Sequence, residues 1–495
     1  MCGIIGIYGS KHINVNTMLI DGLNTIQHRG QDSAGIVTFN KTFHVRKGEG
    51  LVNHVFKNRS LERISPNAYI GLGHVRYSTI GVPSELNAQP LTVSYPHGVA
   101  MVHNGNVINV QELKQIISEK NHRLITTEND VELILHILSS ELEKKNLNAP
   151  SPEDIFESLF ATQQLVQGAY SALAIIANVG LVAFTDPHGI RPIVFGEKLT
   201  DSGPIYIFAS ETTSFDYLGF KRIRDLLPGE AIFIDQNLQI HSKLLKSESP
   251  KFCIFEYIYF AREDSILQNR SVAIERMRMG KAMAHKIRAS GITPDLIIDV
   301  PSSAYFFAES LADELGVPYT RGFAKNNFLG RSFIMPSPKQ RSSAVKQKLN
   351  PIKALVNAKK VAVVDDSIVR GTTSKHIVTL LREAGASKVY FISASPPIKY
   401  PCIYGIDMST KTELIASDHN EEEIAALIGA DKVIYQNLED LMNLYPKEFA
   451  CFACFNANYP TKVTDDIFSD IERDRCHNQT LLQQQQQQQE ITYEA

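Results

Sequence analysis

The 495-residue chain is 43% hydrophobic and 21% charged, with a net charge of −3. That length suits two or three domains with full apolar cores, and the near-neutral charge gives no electrostatic footprint for nucleic acid or an anionic membrane. No apolar run reaches the roughly 20 residues of a membrane span, and no basic-then-apolar signal segment opens the chain, so a cytoplasmic protein is expected.

The chain starts Met1-Cys2-Gly3-Ile4-Ile5-Gly6-Ile7, with Cys2 ahead of a short apolar strand. Initiator methionine is trimmed readily before a small residue, and trimming here leaves a terminal cysteine. Such a residue carries a thiol and its own base, because an α-amine with a reference pKa near ~8 can take the thiol proton, directly or through water. Four polar blocks follow: 28–35 (HRGQDSAG), 74–79 (HVRYST), 103–106 (HNGN) and 127–132 (TENDVE), the last opening the helical run VELILHILSSEL. Singly they have ordinary readings as a turn, a buried Arg–carboxylate pair, an Asn-Gly hairpin and a helix cap. Together they equip a glutamine amide hydrolase. The Cys2 thiolate attacks the amide, and the Asn104 side chain with the Gly105 N–H forms an oxyanion hole. Arg76 grips the substrate α-carboxylate, and Asp130 takes its α-ammonium. Arg29 is a further glutamine-binding candidate. Residues 172–184, interrupted by Asn178 and Gly180, read as a strand hairpin.

A polar break at 247–251 (SESPK) separates two domains, 2–245 and 252–460. After it, 253–264 (CIFEYIYFARED) has a strong β tendency. A helix is expected over 276–287, a strand over 295–300 ending at Pro301-Ser302-Ser303-Ala304, and a helix to Leu315. Strands alternating with helices imply a parallel sheet with ligands beyond the strands' C-terminal ends. Residues 324–341 form a long basic loop. Its Lys325, Arg331, Lys339 and Arg341 suit closure over a pyrophosphate leaving group, the plain alternative being a basic surface loop. The most informative stretch is 361–373, VAVVDDSIVRGTT. Four apolar residues make a buried strand, Asp365 and Asp366 follow, and Ser367 to Thr373 lead into a helix capped near Gly385. Gly371 lets the backbone approach a phosphate, with hydroxyls from Thr372 and Thr373 and N–H groups from the helix start. The carboxylates suit a sugar's vicinal hydroxyls or a hydrated Mg²⁺.

The first-half blocks resemble the class II glutamine amidotransferase domain, an α+β N-terminal-nucleophile fold of two stacked antiparallel sheets between helices. On that resemblance Cys2 is the nucleophile, Arg76 the glutamine-carboxylate arginine, Asn104 and Gly105 the oxyanion hole, and Asp130 the ammonium acceptor. Residues 171–184, 186–192 (DPHGIRP) and 209–212 (ASET) match its later elements. The DDSIVRGTT stretch resembles the phosphoribosyl-pyrophosphate (PRPP) motif of the α/β type I phosphoribosyltransferases, whose sheet is parallel. It implies PRPP binding by Asp365, Asp366, Ser367, Arg370, Gly371, Thr372, Thr373, Lys325 and Arg331. With both halves in this order, residues 2–460 resemble the glutamine PRPP amidotransferase family. The resemblance implies a pentosyltransferase making 5-phosphoribosylamine, glutamate and pyrophosphate from PRPP, glutamine and water. That is the first committed step of purine synthesis, with ammonia passed internally from Cys2 to PRPP. It also implies Mg²⁺ on Asp365 and Asp366, a homotetramer, and inhibition by purine nucleotides. Two positions depart from the pattern. Ala304 stands where many members have a serine at the Mg²⁺ site, leaving Ser303 or water as the third ligand, and Asn327 stands where the family often has Arg.

Cys253, Cys402, Cys451 and Cys454 join a CxxC to two distant thiols, a pattern open to a structural Zn²⁺ or a [4Fe–4S] cluster. The resemblance implies the cluster, since one branch of the family carries it on cysteines in these contexts. Residues 464–495 lose apolar periodicity and include Cys476 and the glutamine run 483–489, a tail expected to be disordered. Three other readings stand beside this one, the first a degenerate paralogue, motivated by Ala304 and Asn327. Hexosamine-phosphate or asparagine synthesis has no use for a ribose-phosphate loop, and a PRPP-sensing regulator has none for a terminal cysteine with Arg76, Asn104 and Asp130.

Overall fold

A computed structural model of the chain describes residues 1–57, 67–77, 84–326, 349–408, 410–464, 466–469 and 472–473. In the first half, two antiparallel sheets lie face to face. One has seven strands, in the order Lys221–Asp225, Val194–Thr200, Gly203–Ala209, Gly3–Tyr8, Ile70–Arg76, Ser33–Asn40 and Thr42–Glu49. The other has six: Ile240–Leu244, Glu230–Asp235, Gly180–Thr185, Gly168–Ile176, Val99–Val107 and Leu91–Val93. The period-2 alternation of strand side chains decides what each face touches. Ile4 points between the sheets with Leu72, Val102, Leu173, Leu181 and Phe208. Ile5 and Ile7 point the other way, with Leu19 and Leu23 of the helix Asn16–Thr25. The helices Val131–Glu143 and Pro152–Leu165 cover the second sheet, through Leu133, Ile134, Leu138 and Leu159 against Val99, Met101 and Ala172. Helix Pro152–Leu165 starts on a reciprocal Ser151/Asp154 capping box with proline at its first position, a well-matched start signal.

The second half holds a parallel sheet in the order Leu296–Asp299, Lys360–Asp365, Lys388–Ser393, Lys432–Tyr435. The run Val361 to Val364 is apolar throughout because both of its faces are buried. Val361 and Val363 pack on Ile377 and Leu381 of the helix Thr372–Glu383. Ala362 and Val364 pack in a cluster with Met279, Phe307 and Leu311. That cluster also contains Ile5, Leu23 and Ile207, so one apolar core runs from the first half into the second.

Residues 253–264 depart from their β tendency. Only Phe252–Cys253 is a strand, parallel to Ala450–Cys451, and a wide helical turn follows over Glu256–Phe260. Tertiary packing decides the outcome. Tyr257 stacks on Tyr445 at 6.0 Å and Phe255 on Phe455 at 5.7 Å, while Glu256 turns into a buried ion pair. A straight strand cannot reach all three partners.

Candidate active site

Cys2 precedes the strand Gly3–Tyr8 near the middle of the seven-stranded sheet. Its backbone nitrogen donates to Asn104 Oδ1 at 3.3 Å, and its Sγ lies 3.7 Å from the Tyr77 carbonyl. Asn104 is buried on the strand Val99–Val107, and its Nδ2 meets no acceptor among the described residues. A dry, unused amide donor costs about 1–3 kcal/mol. It is also what stabilises charge that appears only in a transition state. Gly105 is confined by sterics, since a Cβ there would stand 1.9 Å from the Ala169 carbonyl oxygen.

Arg76 is buried at the end of the strand Ile70–Arg76. Burial lowers its pKa, opposed by the nearby Cys2, Asp130, Asp32 and Glu128. Asp130 is buried and accepts from Val107 N at 2.9 Å and faces His103 Nε2 at 3.3 Å. Burial alone would raise its pKa, but His103 and the Val107 N–H hold it below the usual carboxylate range. The segment carrying Asp130 is tied down by Glu132, which accepts from the backbone and hydroxyl of both Thr126 and Thr127 at 2.7–2.8 Å. Burial works against ionised Glu132, yet hydrogen bonds from His136, Thr127 and Thr126 bring its pKa to about 2.

Arg29 is placed differently from a substrate clamp. Its guanidinium is fully buried and forks onto Glu256 at 3.0 and 2.9 Å. It also donates to Glu211 at 2.5 Å, and through Nε to the Cys2 carbonyl at 3.0 Å. Breaking such a buried pair from one side costs about 3–5 kcal/mol. Arg29 therefore holds the Cys2 backbone and ties it to Glu256 in the second half.

At the sheet's C-terminal edge, Asp365 ends its strand and Asp366 begins the loop. Asp366 accepts from the hydroxyls of Ser303 and Ser367, the latter at 2.8 Å, and its own N–H donates to Asp365 Oδ1 at 2.9 Å. Burial raises both carboxyl pKa values, and Asp365 is raised further by its charged neighbour. Two buried carboxylates with a deficit of positive charge fit a divalent cation or a polyhydroxyl ligand. Gly371 sits at φ +75°, a conformation that favours glycine, just before Thr372 opens a twelve-residue helix. Lys325 donates to Ser302 Oγ at 2.9 Å and so lies beside the 301–304 turn. Arg370 pairs with Glu413 at 3.2 Å and approaches Asp407 at 3.8 Å. Ala304 is fully buried against the apolar core, and from the 301–304 turn it is Ser303 whose hydroxyl donates to Asp366. Arg331, Asn327, Lys339, Arg341, Ser78, Thr79 and Cys476 lie outside the described residues.

The 365–374 loop and three residues that touch Cys2 line one cavity of about 580 Å³, whose lining does not include Cys2, Arg76, Asn104, Gly105 or Asp130 themselves. The first half contributes Met1, His28, Arg29 and Tyr77 to its lining, and the second half Asp365, Asp366, Ser367 and residues 370–374. Phe255, Tyr259 and Phe260 also line this cavity. Met1 is buried, with Sδ 2.7 Å from an Arg191 nitrogen, and burial takes its α-amine pKa down to about 6.

Cys253, Cys402, Cys451 and Cys454 line a second, closed cavity with Ile190, Phe255, Tyr404 and Ile406. Burial pushes the Cys253 thiol up to about 11 and raises Cys451 and Cys454 as well, with the neighbouring thiols adding to each shift. Four thiols on one apolar cavity match the donor set of a thiolate-bound metal. Among the described residues no three acidic, histidine or cysteine side chains are drawn close enough to hold an ion.

The sequence reading missed Glu211 and Glu256 behind Arg29, His103 behind Asp130, and residues 403–407, which touch both halves. Only His103 carried a local signal, being next to Asn104. Among the described residues, no helix is long and apolar enough to cross a membrane.

Comparison with known proteins follows the same division. Residues 74–217 match the glutamine amidotransferase domain family and residues 265–396 the phosphoribosyl transferase domain family. The chain is 43% identical to an amidophosphoribosyltransferase of Pseudomonas aeruginosa over 96% of each chain. It is 41% identical to one of Saccharomyces cerevisiae, over 96% of this chain and 95% of the relative. Its fold is similar to that of the glutamine PRPP amidotransferase from B. subtilis complexed with ADP and GMP. That match has a TM-score of 0.83 and 37% identity, and covers 94% of this chain and 98% of the other.

Proposed function

The chain belongs to the amidophosphoribosyltransferase family, and from that premise we propose how its residues divide the reaction. The enzyme converts PRPP, glutamine and water to 5-phosphoribosylamine, glutamate and pyrophosphate, the first step of purine biosynthesis. The observation that carries the division of labour is the single cavity joining the Cys2 surroundings to the 365–374 loop.

Once Met1 is removed, the free amine of Cys2 takes the thiol proton. An α-amine has a reference pKa near ~8, so a neutral fraction is present at physiological pH. The thiolate attacks the amide carbon of glutamine, whose α-carboxylate faces Arg76 and α-ammonium Asp130. The oxygen gains charge against Asn104 Nδ2 and Gly105 N–H. Ammonia leaves, and water later cleaves the glutamyl thioester to glutamate. Arg29 fixes the Cys2 backbone rather than the substrate. Removing Met1 also clears one wall of the shared cavity.

Ammonia crosses the cavity lined by Phe255, Tyr259 and Phe260, and transfer apart from bulk water spares it protonation. It attacks the anomeric carbon of PRPP and displaces pyrophosphate. The 5-phosphate rests on residues 370–374 at the helix start, and Lys325 and Arg331 take the leaving group. Asp365 and Asp366, with Ser303 oriented on the latter, would hold the ribose hydroxyls and Mg²⁺, whose charge when bound offsets that on the pyrophosphate. Purine nucleotides share the ribose-phosphate part of PRPP, which supports inhibition at the same loop. A homotetramer and a cytoplasmic location complete the reading.

Cys253, Cys402, Cys451 and Cys454 would hold a [4Fe–4S] cluster, supplying a structural cross-link between residues 253, 402 and the CxxC. Protein purified without oxygen is expected to be brown with about four irons per chain, and stoichiometric zinc instead overturns this assignment.

The overall reading is tested by glutaminase activity with and without PRPP and Mg²⁺. Their addition is expected to raise glutamine hydrolysis and release pyrophosphate one-to-one with glutamate. Hydrolysis indifferent to PRPP contradicts it.

A further inference from the structure

Residues 104–106 pair on one side only, with 169–171, Asn104 opposite Ser171 and Gly105 opposite Tyr170. On the other side the neighbouring strand Leu91–Val93 stops opposite Met101, so among the described residues no strand continues beside the oxyanion-hole residues. Segment 403–405 of the second half fills that place. Asn106, buried and on the same face as Asn104, donates through Nδ2 to the Ile403 carbonyl at 2.8 Å. Gly405, at φ +93°, lies against the Gly105 peptide so closely that a Cβ would come within 2.8 Å of the Gly105 oxygen. Arg191, fully buried, donates to the Tyr404 carbonyl from Nε at 2.9 Å and from Nη2, fixing the segment between these two contacts.

We infer that segment 403–405 is the buttress of the glutaminase oxyanion hole, and that Asn106 and Gly405 are positioning residues for glutamine hydrolysis. The inference rests on the function proposed above. A short helix or turn within the first half could have closed this edge. Instead this edge is packed by backbone from the domain that consumes the ammonia. A misplacement of about 1 Å at a catalytic donor costs about a hundredfold in rate, so the buttress acts on turnover more than on binding. Glutamine is still held through its α-carboxylate and α-ammonium by Arg76 and Asp130, which neither substitution below replaces.

The test compares full-length wild type with Asn106→Ala and Gly405→Ala in four assays. These are glutamine hydrolysis, inhibition by glutamate γ-semialdehyde, alkylation of Cys2 by iodoacetamide, and synthesis supported by ammonia. The aldehyde forms a thiohemiacetal whose oxygen needs the hole, whereas alkylation builds no oxyanion. Asn106→Ala is expected to lower kcat by at least about tenfold, with the glutamine KM within about threefold. Aldehyde affinity should weaken by the same factor as kcat/KM, while alkylation and ammonia-supported synthesis stay at wild-type rates. Gly405→Ala should show the same pattern more strongly, and if it does not fold, Asn106→Ala decides alone. Unchanged kcat and aldehyde affinity overturn the inference, as does a parallel fall in alkylation and ammonia-supported synthesis. The wild type separates the two levels. If it does not hydrolyse glutamine, the proposed function falls too; if it does and Asn106→Ala matches it, only the buttress falls.

Discussion

Cys2→Ser is expected to lower glutamine-dependent synthesis by more than about a thousandfold while ammonia-dependent synthesis is kept. Serine is close in size and also permits methionine removal, so maturation and the Asn104 and Arg29 contacts to the backbone are undisturbed. What is lost is the thiolate. A hydroxyl beside the same amine keeps its proton at neutral pH, and no glutamyl intermediate forms. Ammonia supplied from outside enters after that step and meets PRPP at an unaltered loop. Loss of both activities would show that Cys2 also serves the transfer step. Both rates are read from pyrophosphate release, with either glutamine or ammonium at high pH as nitrogen donor.

The second large effect is Asp366→Asn, which should reduce transfer from both glutamine and ammonia by about 10²–10³. The amide in place of the carboxylate would keep the shape and one acceptor for the Ser303 or Ser367 hydroxyl. It would lose the charge that a cation or the ribose hydroxyls require. Removing that charge also relieves repulsion with Asp365, so the variant should fold at least as well as wild type. Glutamine hydrolysis without PRPP should persist, because the Asp366 hydrogen bonds run to Ser303, Ser367 and Asp365 and leave the Cys2 surroundings alone. Stimulation by PRPP should be lost with PRPP binding. A variant with normal PRPP affinity and rate would remove the 365–373 loop from the reaction.

What could be read from sequence was chemistry carried by neighbours in the chain. The strand, the acid pair, the glycine turn and the helix start of 361–373 are contiguous, and each has a local physical signature. Cys2 was legible because position two has a consequence of its own. The parallel sheet followed from the alternation of strands and helices. Less legible was whatever depended on distant partners. Arg29 looked like a substrate ligand, but Glu211 and Glu256 stand 182 and 227 residues away in the chain and consume its guanidinium. Residues 255–260 have strand-forming side chains, yet Phe455 against Phe255 and Tyr445 against Tyr257 favour the helical turn over Glu256–Phe260. The backbone carbonyl of Ile403 gives no sequence signal at all, though it accepts from Asn106, two residues after Asn104.

The central claim is that ammonia made at Cys2 reaches PRPP without entering water. It is tested most directly by supplying glutamine labelled with ¹⁵N in the amide, together with PRPP and unlabelled ammonium at a level that alone supports little synthesis. The phosphoribosylamine, trapped as it forms, should carry ¹⁵N almost completely, whatever the unlabelled ammonium present. Label that falls in step with dilution by the medium would show that the nitrogen escapes before transfer.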